Sequence, residues 1–422
     1  MIRGLERASS CTLKQLFDFM TEDIFELVEG GLTIGQSNAG FANGEPGGPL
    51  LSCLDADDQI YMLSGKSGGS IGNEIPDRFV SVVERYLEPP GLGQTPAGML
   101  GFARYLLSRQ MDEAVKPLGL HSSFRGSAPL TDLMPEAAFN IHENAIGSQL
   151  AMVEAFKAIG KIYRLTWIDF IQGEGGPFSD YARLLTDYIE NVVPSISKYI
   201  GQEYTPHFMF SQINSFTNAD QRNPVALSQY EVARRFQGRG VSLAGPMYQY
   251  PFYDPGHLTD IARMMHGEVR ALVLRHALQD GRDWHPLWPR DDFIETEGRR
   301  LIVAMDMPPG TDLLAVDIDW IPPVADMGFL VRDHAQAVVP IRSVHIDQGN
   351  VIIDLDTTLY GNGTLEYATH NDPGVEWWAS GRGQIFAESN VDSPFHRLGY
   401  AVPKTIRHYA ATFELPMYNK NI

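Results

Sequence analysis

The first two thirds of the chain alternate between short apolar runs and longer stretches with helical spacing. The short runs are rich in apolar residues, as expected for strands buried in a sheet, and lie at residues 32–34, 60–63, 163–171 and 207–212. Elsewhere apolar positions recur every three or four residues, which predicts helices at residues 13–28, 97–107, 148–159, 181–192, 224–236 and 257–278. Helices that alternate with strands favour an α/β fold in which a mostly parallel sheet is covered on both faces.

The pattern changes near Pro289. Beyond it, short β-rich runs with little helical periodicity are separated by Gly, Pro, Asn and Asp; they cover residues 301–305, 313–318, 329–331, 337–344, 351–355 and 406–415. This spacing is typical of an all-β domain of the sandwich or jelly-roll type. We therefore predict an α/β domain at residues 1–289 and a β-rich accessory domain at residues 290–422, and the length of the chain also favours two domains.

Composition narrows the class of protein. The formal net charge is −19, which disfavours a nucleic-acid partner because phosphate binding needs clustered Lys and Arg. No apolar segment approaches the ~20 residues that span a bilayer, and residues 1–11 are not followed by the apolar core of a signal peptide. We expect no membrane partner, and either a cytoplasmic location or release within a phage particle. A lone pair of cysteines, Cys11 and Cys53, forms no disulfide framework, and we expect both to be reduced.

Two segments bring reactive side chains to turns. The apolar run 32–34 leads into residues 35–39 (Gly-Gln-Ser-Asn-Ala), where a tight turn at Gly35 would expose the Ser37 hydroxyl at a strand end. Far downstream, residues 254–257 read Asp-Pro-Gly-His. A serine nucleophile needs an adjacent base that a third group orients, so the two segments together indicate a serine hydrolase. The structural alternatives are a turn serine that caps a helix, and a histidine that caps the helix after it.

The sequence also resembles a known superfamily. Gly-Gln-Ser-Asn at residues 35–38 resembles the nucleophile block of the SGNH hydrolases, in the branch of the sialic-acid and acetylxylan esterases. That branch carries Gln-Gly-Glu, found here at residues 172–174, and Asp-Gly-x-His-Leu-Thr, close to Asp-Pro-Gly-His-Leu-Thr at residues 254–259. The resemblance implies a three-layer αβα sheet and a carbohydrate O-acetylesterase that forms an acyl-enzyme. It implies no cofactor and no metal, and an acetylated carbohydrate as the substrate.

The resemblance assigns the catalytic roles. Ser37 is the nucleophile, His257 the general base and Asp254 the carboxylate that orients the imidazole. The candidates for the oxyanion hole are the backbone N–H of Ser37, Gly126, and the side chain of Gln172. The Gln172 side chain would take the place of the asparagine that the wider superfamily uses. The loop that carries Gly126 departs from the family pattern, since Arg-Gly-Ser keeps one glycine where the family often has two.

Other residues are expected to support this site or to lie outside it. Gln36, Asn38 and Glu174 are predicted to support the site or touch substrate, and Glu174 is a rival of Asp254 as the partner of His257. Glu143 and Asn144 are interpreted as caps of the helix predicted to follow them. The adjacent pair Trp377 and Trp378 could stack on a sugar, although packing in the β-domain is the commoner fate of such a pair.

Two further functions stay open at this point. An esterase or lipase that acts on a non-carbohydrate ester would need an apolar pocket, whereas the loops are rich in Gly, Ser, Asn and Asp. A glycan-binding module, such as a phage tail component with a non-productive hydrolase fold, would use the same scaffold without turnover. The β-domain would then position a polymer or take part in assembly, either as a homo-oligomer or in a virion.

Overall fold

The structure is a computed structural model, and it describes most of the chain. The described residues are 26–40, 60–64, 69–71, 78–81, 96–114, 116–176, 179–214, 223–254, 256–278, 284–370 and 382–419. Trp377 and Trp378 lie outside them, as do the two cysteines, Cys11 and Cys53, and most of the helix predicted at residues 13–28. The last two residues of that predicted helix, Leu27 and Val28, begin a strand instead.

The first part of the described chain alternates strands with helices. The strands are β1 (Leu27–Gly35), β2 (Ile60–Ser64), β3 (Gly69–Ile71), β4 (Arg78–Ser81), β5 (Leu118–Phe124), β6 (Ile162–Ile171), β7 (His207–Gln212), β8 (Val241–Pro246), β9 (Phe252–Asp254) and β10 (His257–Leu258). The helices are α1 (Ser37–Gly40), α2 (Pro96–Gln110), α3 (Ile141–Ala158), α4 (Tyr181–Asp187), α5 (Val193–Tyr199), α6 (Pro224–Phe236) and α7 (Asp260–Leu278). A π-helix, Tyr188–Val192, joins α4 to α5.

The main sheet places the ends of β1 and β6 side by side. Its strand order is β4-β2-β5-β1-β6-β7-β8, with β3 beside β5, and the pairs from β2 to β8 along this order are parallel while β4 is antiparallel to β2. Strand β1 thus lies between β5 and β6, where the chain order reverses. In open α/β sheets ligands bind at the carboxyl ends of the strands beside such a reversal. The end of β1, at Gly35, is therefore the natural place for a site.

Tight packing between β1 and β6 explains the glycines of β1. The strand is buried almost throughout, and a Cβ atom at Gly31 would collide with the indole of Trp167 on β6. At the end of the strand Gly35 has φ 155°, and a Cβ atom there would collide with the Ile171 carbonyl. Glycine is therefore needed where β1 approaches β6 and turns toward Ser37.

The second part of the described chain is β-rich. Its strands are β11 (Trp288–Pro289), β12 (Ile294–Glu297), β13 (Arg300–Asp306), β14 (Thr311–Val316), β15 (Phe329–Asp333), β16 (Val338–Val339), β17 (Ile341–Asp347), β18 (Asn350–Leu355), β19 (Gly363–Tyr367), β20 (Ile385–Asp392), β21 (Thr405–Tyr409) and β22 (Phe413–Asn419). One sheet runs β16-β15-β19-β22-β12-β13-β18-β17 with β11 beside β13, and another runs β14-β20-β21. The short helix α8 (Pro394–Arg397) follows β20.

The β-rich part packs directly on the α/β part. The Gln212 amide donates to the Thr412 carbonyl at 2.8 Å and its oxygen accepts the Thr412 N–H at 2.7 Å. The Ser393 hydroxyl donates to Glu268 of α7 at 2.6 Å, and one hydrophobic cluster runs from β1 to β22. The structure changes to β-strands near Pro289, as the sequence pattern predicts. That the two parts are independent domains, divided at residue 289, stays a prediction.

Most predicted elements are present, with shifted ends. Strand β7 and helix α6 have the predicted bounds. The helix predicted at residues 148–159 begins at Ile141, so the prediction that Glu143 and Asn144 precede and cap it is wrong. The helix predicted at residues 257–278 begins at Asp260, which leaves His257 in strand β10. None of the described helices is long and apolar enough to cross a membrane.

Candidate active site

The predicted nucleophile lies at a strand-turn-helix junction. Strand β1 ends at Gly35, and the Gln36 N–H donates to the carbonyl of Ile171 at the end of β6 at 3.1 Å. Helix α1 then begins at Ser37, which is 7% exposed. The buried strand, the turn at glycine and the serine at the carboxyl edge of the sheet are as residues 32–39 predict, but Ser37 is buried, whereas the sequence predicts an exposed hydroxyl.

Asp254 and His257 form a local pair in a hairpin. They lie opposite each other in the antiparallel pair of β9 and β10, and His257 Nδ1 is 2.8 Å from both carboxylate oxygens of Asp254. The Gly256 N–H also donates to Asp254 at 2.8 Å. Burial alone would raise the pKa of Asp254, but the hydrogen bonds from Gly256 and His257 outweigh it and lower that pKa. An Nδ1–H that donates to a carboxylate leaves the lone pair of the imidazole on Nε2.

The helix after this hairpin has another cap. The Thr259 hydroxyl accepts the N–H of Ala262 at 3.2 Å, in the first turn of α7. The alternative role for His257, as the cap of that helix, is therefore taken by Thr259. The ring of Tyr253 stacks on the imidazole instead, with centroids 5.9 Å apart and planes 19° apart. Sequence reasoning missed Tyr253, whose position beside Asp254 in β9 was the available signal.

The residues on either side of Ser37 join it to the other two blocks. The Asn38 amide donates to the Gly256 carbonyl at 2.8 Å and to Glu174 Oε1 at 3.1 Å. On the other side, the Gln36 side-chain oxygen accepts the Gly175 N–H at 2.8 Å. Segments that are 136 and 218 residues apart in sequence thus converge on the nucleophile turn. The predicted supporting residues Gln36, Asn38 and Glu174 all take part.

Glu174 carries a buried carboxylate next to the histidine. Its Oε1 accepts Asn38, whereas its Oε2 is shielded from solvent and has no hydrogen-bond partner among the described residues. Burial raises the pKa of this carboxyl, against the opposing effects of its hydrogen bonds and of nearby His257. The carboxylate at the His257 ring nitrogen is that of Asp254, and Glu174 instead holds the amide of Asn38.

The structure corrects the prediction for Gln172. Its amide group is fully buried and donates both protons to backbone carbonyls, of Gly176 at 3.1 Å and Ala128 at 3.2 Å. Its side-chain oxygen accepts the hydroxyl of Tyr181 at 2.8 Å. An amide has two protons, so none is left for an oxyanion in this arrangement. Gln172 therefore fixes the loop after β6, and sequence reasoning could not see that Tyr181 and Ala128 would occupy it.

The role of Gly126 as a backbone donor stays a prediction. The loop that carries it follows β5, and the Arg125 N–H donates to the Gly35 carbonyl at 3.3 Å, which holds the loop against the nucleophile turn. Gly126 is exposed, and in the described part of the chain no backbone carbonyl accepts its N–H or that of Ser37. The N–H groups of Ser37, at the start of α1, and of Gly126 therefore remain the candidate oxyanion donors.

A buried ion pair joins helix α7 to the strands that carry the site. Arg270 of α7 contacts Asp169 of β6, and both side chains are almost fully buried. The Thr33 hydroxyl of β1 donates to the same carboxylate at 3.1 Å. This network ties the helix after His257 to the two strands that end at the site. In the described residues no three His, Cys, Asp or Glu side chains are grouped as ligands for a metal ion.

Solved structures of similar fold include esterases. A carbohydrate acetylesterase from Xanthomonas citri aligns with a TM-score of 0.59 at 13% identity, over 91% of this chain and 80% of its own. A protein from Arabidopsis thaliana aligns with a TM-score of 0.40 at 14% identity, over 58% of this chain and 96% of its own. A carbohydrate acetylesterase from Sinorhizobium meliloti aligns with a TM-score of 0.32 at 10% identity, over 59% of this chain and 100% of its own.

These comparisons bear on the fold. No protein-family model matches the sequence, and no curated protein matches it. The likeness to the Xanthomonas citri structure covers both the parallel sheet and the β-rich part. The predicted fold class is confirmed as far as its architecture goes: a mostly parallel sheet with helices is followed by mostly antiparallel β-structure.

Proposed function

We propose that the protein is a serine esterase of the SGNH type, with Ser37, His257 and Asp254 as its catalytic residues. The observation that carries this proposal is the Asp254–His257 pair at 2.8 Å, in a hairpin whose Gly256 carbonyl is hydrogen-bonded to Asn38, the residue after Ser37. These contacts bring the segments of a nucleophile, a base and an orienting carboxylate together, and serine catalysis uses these three groups.

The reaction follows from these roles. His257 Nε2 takes the proton of the Ser37 hydroxyl as its oxygen attacks the ester carbonyl, and the imidazolium then gives that proton to the departing alcohol. A water molecule loses a proton to the same nitrogen and attacks the acyl-enzyme; as the bond from the acyl carbon to the Ser37 oxygen breaks, the imidazolium returns that proton to the oxygen, which releases the carboxylic acid and restores Ser37. Asp254 holds the Nδ1–H and stabilises the imidazolium in both steps.

The oxyanion is assigned to backbone donors. The donors we propose are the N–H of Ser37, at the start of α1, and the N–H of Gly126, in the loop after β5; a donor aimed at the developing charge contributes ~3 kcal/mol. Gln172 acts indirectly, because it fixes the loop of Glu174 and Gly175 that Gln36 and Asn38 contact. Asn38 uses its amide for the hairpin and for Glu174, so its role is to position the nucleophile turn.

We propose an O-acetyl group on a carbohydrate as the substrate. The Xanthomonas citri protein of similar fold is named as a carbohydrate acetylesterase, and the sequence blocks resemble that branch. The loops predicted from the sequence are rich in Gly, Ser, Asn and Asp, which suits a polar substrate better than a lipid. A small acyl group also suits a nucleophile that is 7% exposed.

Hydrolysis assays test the proposal. We expect wild-type protein to cleave a chromogenic acetate and to release acetate from an acetylated polysaccharide. Ser37→Ala should lose both activities, and Ser228→Ala, a matched change on helix α6, should keep them. Equal turnover by wild type and Ser37→Ala would refute the catalytic assignment. Polysaccharide binding without acetate release would favour the glycan-binding module.

A further inference from the structure

Tyr253 contacts the proposed general base, His257, at the face of its ring. Asp254 holds the edge of that ring at Nδ1, whereas the ring of Tyr253 lies against its face, with centroids 5.9 Å apart and planes 19° apart. The outer torsion of a histidine side chain has broad minima, so the side chain itself does not fix the tilt of the imidazole. A flat neighbour restricts the tilt that one hydrogen bond at the edge leaves open.

The backbone of the hairpin brings Tyr253 to this position. His257 pairs with Asp254 and Leu258 pairs with Phe252, so the register shifts and Tyr253 is skipped in the pairing of β9 with β10. Neighbouring side chains of a regular strand point to opposite faces, yet Tyr253 and Asp254 both contact His257. A β-bulge re-aims a side chain in this way and is found often next to active sites.

The far end of the Tyr253 side chain is held by helix α7. The Arg263 guanidinium, in the first turn of that helix, donates a hydrogen bond to the Tyr253 hydroxyl. Arg263 is itself buried, and its Nη1 lies 3.6 Å from Oδ1 of the buried Asp260. The tyrosine ring is therefore held at both ends, by the hairpin backbone and by α7, and gives the half-buried imidazole of His257 a fixed surface to pack on.

The face of the tyrosine ring also suits the charged state of the imidazole. An aromatic ring is negative on its face, and it attracts a cation that lies within about 6 Å of its centroid. The imidazolium that forms when His257 takes the Ser37 proton has its centroid 5.9 Å from that of Tyr253. This attraction is weaker for the neutral ring, so it favours the transition state over the ground state.

We propose that Tyr253 is a positioning residue of the esterase reaction, which acts by stacking on His257. Its ring fixes the tilt of the imidazole while Asp254 fixes the edge, and it stabilises the imidazolium as this forms. The hydroxyl anchors the ring to Arg263 and takes no part in proton transfer. The inference rests on the proposed function, because it needs His257 as the general base.

Removing the ring tests the inference on the full chain. In acetate ester hydrolysis, Tyr253→Leu should lower kcat roughly 10-fold and leave KM unchanged. Tyr253→Phe keeps the ring and loses only the hydrogen bond to Arg263, so it should stay within about 3-fold of wild type. Tyr253→Met, a second variant without the ring, serves if Tyr253→Leu does not fold. Tyr400→Leu, the same change at a half-buried tyrosine of the β-rich part, should leave kcat unchanged.

A double-mutant cycle shows whether Tyr253 acts through His257. In the His257→Ala background, Tyr253→Leu should cost no further activity, since no imidazole remains to be positioned. The inference is overturned if Tyr253→Leu keeps the kcat of wild type or raises KM instead, or if Tyr253→Phe or Tyr400→Leu loses as much kcat. An equal loss in the His257→Ala background overturns it as well. Failure of the proposed function gives a different result, in which Ser37→Ala and His257→Ala keep wild-type turnover, and the inference then falls with it.

Discussion

Replacing Asp254 with Asn tests the partner of His257. Both carboxylate oxygens of Asp254 lie 2.8 Å from His257 Nδ1, so the ionised group accepts the Nδ1–H and attracts the imidazolium that forms during catalysis. An amide of the same size keeps the shape of the hairpin but loses the charge, and its NH₂ group can hold the wrong tautomer of the ring. We expect a folded protein with impaired turnover at neutral pH.

The expected loss of kcat in Asp254→Asn depends on how far the His257–Asp254 pair is exposed to solvent. Two unit charges about 4 Å apart attract with about 1 kcal/mol in water and about 4 kcal/mol at an effective dielectric constant near 20. The side chains of His257 and Asp254 are 28% and 38% exposed, which places the pair between these limits. Since ~1.36 kcal/mol is tenfold in rate, the lost attraction alone lowers kcat by roughly 5- to 10³-fold. The tautomer effect adds to this, and we expect ~10²–10³-fold, below the ~10⁴ of a buried triad.

The assay is the pH profile of acetate ester hydrolysis by wild type, Asp254→Asn and Glu174→Gln. The deficit of Asp254→Asn should shrink at alkaline pH, where hydroxide replaces part of the base catalysis. Glu174→Gln should be milder, because Gln keeps an oxygen that accepts the Asn38 amide at the position of Oε1. A larger loss in Glu174→Gln than in Asp254→Asn would refute this choice of the third catalytic residue.

Three further predictions concern stability and positioning. Gln172→Ala should lower the thermal midpoint together with kcat, since it strips buried hydrogen bonds from the loop; a ~10²-fold loss of kcat at unchanged stability would restore Gln172 as an oxyanion donor. Burial raises the pKa of Glu268 from 4.5 to about 8. Between these two pH values the folded protein keeps a proton that the unfolded chain loses, so the free energy of unfolding falls as the pH rises from 4.5 to about 8. Glu268→Gln, which can still accept the Ser393 hydroxyl, should flatten that fall in denaturation curves at pH 5 and 9; an unchanged slope would contradict it. Arg270→Met should cost about 3–5 kcal/mol by leaving Asp169 buried and unpaired, and urea denaturation that shows less than ~1 kcal/mol would contradict this.

The positions of the reactive side chains could be predicted from sequence because they depend on local rules. An apolar run followed by Gly35 predicts a strand that turns, and parallel strands bring such turns to one edge of the sheet. Asp254 and His257 are three residues apart, so their contact needs local geometry alone. This is why the hairpin pair could be anticipated without knowledge of the rest of the fold.

The role of Gln172 could not be predicted in this way. Its side chain points to Ala128 and Gly176 because Tyr181, from the next helix, takes up its oxygen. Each of these partners depends on how helix α4 packs, and residue type does not determine that packing. The same argument applies to Thr412, whose pairing with Gln212 spans 200 residues.

The start of helix α3 could not be predicted from the sequence pattern either. Residues 141–148 include His142, Asn144 and Ser148 on the buried side of α3, so polar side chains lie where the pattern calls for apolar ones. The helix therefore begins earlier than its apolar spacing predicts.

Covalent labelling tests the identity of the nucleophile most directly. A fluorophosphonate reacts with an activated serine: the Oγ atom bonds to phosphorus, fluoride leaves, and the proton goes to the base. We predict that one equivalent of phosphonate is found on the peptide that contains Ser37, that esterase activity is lost in proportion, and that His257→Ala reacts far more slowly. Labelling of another residue with loss of activity, or full activity after Ser37 is labelled, would contradict the proposed mechanism.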